Sequence, residues 1–162
     1  MQKLGKYALT FIRVYLGAFN FYSGLNFFLL VLPQPVPADP IGAAYMNATL
    51  SLGLFQFAKV LELVAGFLLM CDIWVPLALV LLFPVTVTIF IMDTFFAQLI
   101  HVRVSGARNF AFHVILFAAY AKYFYPLLKV KAESAPLWKN WREIPLQMGL
   151  KPGLKHEGGK NV

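Results

Sequence analysis

Five ionisable side chains stand inside otherwise apolar stretches of this sequence: Arg13, Lys59, Glu62, Asp93 and His113. Lys59 and Glu62, three residues apart, fall on one face of a helix, where an ammonium and a carboxylate can pair, move a proton or hold a polar group of a ligand. Asp93 and His113 supply the acid and base that could exchange protons with a reduced quinone. An ionisable group within a membrane span costs about 2.5–3.5 kcal/mol on insertion scales, so each is expected to face a bundle interior and to have a partner.

Spacing sorts these groups into two clusters. Arg13, Gly17, Asn20 and Gly24 form one continuous helical stripe, and Gln56, Lys59, Glu62 and Gly66 form another. At a rise of 1.5 Å per residue, Arg13 and Glu62 lie about 10 and 12 Å from the same membrane surface. The inner cluster is therefore Arg13, Asn20, Gln56, Lys59 and Glu62, with Glu62 shared between Lys59 and Arg13. The outer cluster comprises Asn26, Asp93, His101, Arg103, Arg108 and His113.

Each cluster can be read in two ways. The inner one is either a structural clasp that fixes helix register, the preferred reading, or a site handling protons or a ligand. The outer one is either an interhelical hydrogen-bonded pair or a site for a quinone headgroup or a small anion. A metal centre would need Asp93, His101 and His113 together, without HxxH or ExxH spacing, and none is expected. No catalytic residue is assigned. There is no Ser/His/Asp set and no glycine-rich phosphate loop, and the single cysteine, Cys71, excludes an internal disulfide and a CxxC thiol relay.

The elements that must position these groups are membrane helices. The chain is 60% hydrophobic and 13% charged, with a mean hydropathy of +0.69, whereas globular proteins are about a quarter charged. Four spans are expected, over residues 7–32, 47–70, 75–99 and 109–125, each near the ~20 residues a bilayer requires. The expected fold is an all-α, four-transmembrane-helix bundle over residues 1–132, its third helix kinked at the interior Pro84. Residues 133–162 read as a basic cytoplasmic tail, partly interfacial or disordered. Lys3 and Lys6 precede the first span, and seven basic residues from Lys129 to Lys160 follow the last. That asymmetry places both termini in the cytoplasm of a bacterial inner membrane, and it explains the net charge of +7 without nucleic acid.

Three stretches, "RVYLGAFNFYSGLNFF", "KVLELVAGFLL" and "WVPLALVLLFPVTVTIFIMDTFF", follow in an order that resembles the DoxX-like family of small four-helix membrane proteins. The positions carrying the likeness are Arg13, Gly17, Gly24, Lys59, Glu62, Pro76 and Pro84. Relatives often have Asn and His in the third helix, where this chain has Thr88 and Asp93, and the basic tail is an addition. The resemblance implies a membrane subunit or accessory protein of a quinone-linked redox system. The expected ligand is a quinone or lipid-like molecule held in the bundle, with no cofactor within the chain itself. Its partners would be the bilayer and other membrane subunits or further copies of the chain. The alternatives are a non-catalytic structural or assembly subunit of a larger membrane complex and, third, a small-solute transporter.

Overall fold

A computed structural model describes residues 2–32, 37 and 39–125, in which every regular element is a helix and there is no strand. Expectations for the tail, residues 133–162, fall outside the described residues. The helices are α1 (Gln2–Leu29), α2 (Pro40–Ser51), α3 (Leu54–Cys71), α4 (Val75–Ile91), α5 (Ile100–Ala119) and the short α6 (Ala121–Phe124). After Ile91, α4 winds into one wider π turn, Met92–Phe96, before the chain leaves in extended conformation at Ala97. The helix runs on across Pro84 as far as this turn.

α1, α3, α4 and α5 form an up-and-down bundle. α1 and α3 are antiparallel and touch backbone to backbone. A methyl group on Gly17 would lie 2.8 Å from the Gly66 carbonyl oxygen, and one on Gly24 would lie 2.7 Å from that of Lys59. Only glycine allows this approach, the arrangement by which small residues join helices where hydrophobic collapse gives little drive. α4 and α5 are also antiparallel, through Phe83 against Phe117 and Phe90 stacked on Phe110 at 4.6 Å. Tyr15 against Phe112 closes the ring between α1 and α5.

Three departures from the expected spans bear on the site. The segment expected as one helix over 47–70 is two, because Gly53 takes a left-handed conformation at φ 75° and ends one helix before the next begins. α2 starts earlier, where Asp39 caps it by accepting from the backbone N–H of Ile41 and Gly42, with Pro40 in the first turn. The residues expected as a loop before the last span, including His101, Arg103 and Arg108, are already helical in α5.

The close-packed core occupies only one half of the bundle. Leu16, Ala65, Leu69, Ala78, Leu79, Leu82 and Leu116 are all fully buried toward the end where α3 turns into α4. The turn itself holds Asp72 and Trp74 in left-handed conformations at φ 61° and 46°. The other half, beneath α2, is not filled.

Candidate functional site

The unfilled half is a chamber of about 740 Å³ between α1, α3 and the end of α4, with α2 along one side. Its surface is mostly apolar. Its polar groups come from four elements: Tyr22, Ser23 and Asn26 on α1, Tyr45 and Thr49 on α2, Lys59 and Glu62 on α3, and Thr88 with Asp93 on α4 and its π turn. Helical period explains the convergence. Lys59 and Glu62 project from the buried face of α3, one turn apart, on the same stripe as Gly66.

Lys59 Nζ lies 3.0 and 2.8 Å from the two oxygens of Glu62 and 2.8 Å from Ser23 Oγ. An ammonium has three N–H donors, so this one is saturated. Glu62 is 1% exposed and Lys59 8%. Phe55 adds its ring 5.2 Å from the ammonium.

Asp93 stands on the π turn, a form of helix that recurs at functional sites. It is half-buried at the chamber wall. Gly106 of α5 backs it so closely that a methyl group there would lie 2.6 Å from Asp93 Cβ.

Arg13 does not join Glu62. Its guanidinium donates to the Leu69 carbonyl oxygen at 2.6 Å and pairs with Asp72 at 3.1 Å, tying α1 to the end of α3 and the following turn. The depth estimate fails because α1 begins well beyond the end of α3. The glycine contacts set Gly17 level with Gly66, which brings Arg13 level with Leu69, about 10 Å along the axis from Glu62. Gln56 is exposed and donates to the Leu50 carbonyl oxygen across the break between α2 and α3. Asn20 is buried, and its amide bonds back to Leu16 in its own helix.

The outer cluster is likewise divided. His113 is fully buried; Nε2 lies 3.0 Å from the Leu79 carbonyl oxygen and Nδ1 2.9 Å from Thr86 Oγ1. A carbonyl can only accept, so Nε2 carries the proton and Nδ1 accepts from the threonine hydroxyl. Both ring nitrogens are thereby used between α4 and α5. Asp93 packs at Gly106, seven residues and about 10 Å of helix rise from His113, so the expected pair does not form. Replacing His113 by Ala removes both bonds and leaves a void. The expected loss is about 2–4 kcal/mol, read as a lower unfolding midpoint in detergent, with chamber binding unchanged in the folded fraction.

The remaining outer residues are not gathered at one site. Asn26 is half-buried on the chamber wall and holds the end of α1 through two bonds to the Leu32 backbone. His101 is exposed. Arg103 is exposed and donates to the Ala97 carbonyl oxygen at 2.7 Å. Arg108 is exposed, bonds Ser105 and lies over the Tyr15 ring. Asn109 is buried, with neither amide atom bonded among the described residues, and does not line the chamber. No group of three potential metal ligands gathers among the described residues.

Sequence reasoning missed Ser23, the third partner of Lys59, and the chamber residues of α2. Ser23 lies three positions after Asn20, on a stripe already marked as inward-facing. α2 gave no signal because its apolar residues show no sided pattern. The site is thus a chamber holding one saturated ion pair and one carboxyl group, Asp93, without a partner among the described residues. In comparison with known proteins, no family model, no curated protein and no solved structure matches this chain.

Proposed function

We propose that the chain is a four-span bundle of the bacterial inner membrane, with both termini cytoplasmic, whose chamber takes up an apolar small molecule with a polar head from the bilayer. A quinone or another lipid-like molecule is the class the DoxX-like resemblance suggests, in the role of an accessory subunit of a redox system. Two helices, Leu54–Cys71 and Val75–Phe96, are long and apolar enough to cross a membrane. Their outward faces support a lipid environment. Phe57, Val60, Val64, Phe67, Leu77, Val80 and Phe83 are between 42% and 61% exposed, an apolar surface that would be adhesive in water. α1 and α5 are more polar, but their inward stripes of Arg13, Asn20, Asn109 and His113 are buried within the bundle, as intramembrane polar groups must be. The start of α1 and the end of α5 lie at one end of the bundle, which agrees with basic residues on both sides of the spans marking one cytoplasmic face.

The observation that carries the ligand reading is the chamber itself. A volume near 740 Å³ suits a small-molecule site, with mostly apolar walls and a few convergent polar groups. The test is extraction of the purified protein for copurified quinone or lipid. Asp93→Asn is expected to lower bound ligand severalfold while the fold persists, whereas Glu62→Gln strands the buried Lys59 ammonium and is expected to destabilise the bundle. If no ligand is found and Asp93→Asn unfolds or loses partner proteins, the chain is a structural or assembly subunit. That second reading is favoured by one observation, the saturation of Lys59 within the protein.

A further inference from the structure

The polar groups of the chamber differ in the bonding capacity they have left. Its ammonium, threonine and amide donors are engaged, whereas the Ser23, Tyr22 and Tyr45 hydroxyls have no acceptor among the described residues. Lys59 is used up by Glu62 and Ser23, Thr49 donates within α2 to the Tyr45 and Met46 carbonyl oxygens, Thr88 donates to Pro84, and the Asn26 amide donates to Leu32. Asp93 is the opposite case. It has no hydrogen bond or ion pair among the described residues, Gly106 closes off its rear, and the chamber is its open side.

Charge points the same way. Lys59 and Glu62 cancel one another at 2.8 Å, leaving the chamber with the formal charge of one carboxylate. The chamber is also lined by the aromatic rings of Phe19, Tyr22 and Tyr45, while Phe55 already faces an ammonium. Aromatic faces and a carboxylate lining one half-open cavity are the chemistry that recognises an organic cation.

We propose that the chamber binds an apolar organic cation, an amine or onium with a hydrocarbon body, with Asp93 as counter-ion and the aromatic residues around the charge. This rests on the reading that the chamber receives a small molecule from the bilayer, and it specifies the head that molecule carries. Asp93 is then a binding residue and the Lys59–Glu62 pair part of the wall.

The test uses the full chain in a neutral detergent and two probes of similar bulk, tetraphenylphosphonium and decylubiquinone. Saturable binding of tetraphenylphosphonium, tighter than that of decylubiquinone, is the expected result. Asp93→Asn should weaken the cation by about tenfold or more and leave the neutral probe unchanged. The comparison of probes on the unmodified chain decides the matter even where the variant fails to fold. Equal binding of both probes, or binding of decylubiquinone alone, overturns the cation assignment and leaves the chamber reading standing. Failure of both probes to bind overturns both.

Discussion

Replacing Lys59 alone by Met is expected to destabilise the bundle by about 3–5 kcal/mol, because it leaves Glu62, 1% exposed, as an uncompensated buried charge. Ser23 would lose its ammonium partner at the same time. The double replacement Lys59→Met with Glu62→Leu removes both charges and is expected to recover most of that loss, since buried ion pairs seldom outweigh a well-packed apolar pair of similar volume. Unfolding in mixed detergent micelles measures both variants against the parent. A single variant as stable as the parent would mean that the pair is not buried as described. The double variant also separates the two functional readings. If it folds and still carries ligand, the pair is only a clasp; if it folds and binds nothing, the chamber needs its polar wall.

Much of this was legible in the sequence. Apolar composition and helical period marked the long helices, and the stripes at Arg13, Gly17, Asn20 and Gly24 and at Lys59, Glu62 and Gly66 are the faces that meet. Pairing was harder to read. Depth counted from the ends of apolar runs assumes that neighbouring helices begin level, and α1 overhangs α3. Register is fixed instead where glycines let backbones touch, so Arg13 found Asp72, a residue in a short turn with no apparent partner in the linear reading. His113 and Asp93 appeared complementary by chemistry, yet a helix face offers neighbours at each turn. Thr86 and the Leu79 carbonyl oxygen were nearer. The chamber was not legible at all, because an empty volume arises where helices diverge and no single residue encodes it.

The second large effect is at Gly66. A Cβ there would meet the Phe21 amide nitrogen at 2.5 Å and the Gly17 carbonyl oxygen at 2.7 Å, and neither backbone atom can turn aside. Gly66→Ala is expected to cost about 1–3 kcal/mol as α1 and α3 move apart, and Gly66→Leu to cost more than the bundle can withstand. Yield of monodisperse protein after extraction, together with the unfolding midpoint of the alanine variant, reads this out. Gly5, with nothing within 4 Å of its would-be Cβ, is the internal control, and Gly5→Ala should be neutral to slightly stabilising. If Gly66→Leu folds with the stability of the parent, the helices do not cross at this point.

The glycine crossing also bears on divergence. Its specification lies in a few positions that admit no side chain and a handful of polar atoms with fixed partners. Elsewhere on the outward faces of α3 and α4, a residue need only be apolar, so one such letter can replace another with little consequence for packing. Two chains could share this architecture, crossing and chamber while agreeing at few aligned positions. For such a lineage, the spacing from Gly17 to Gly24, set against Lys59, Glu62 and Gly66, would be a more durable signature than overall identity.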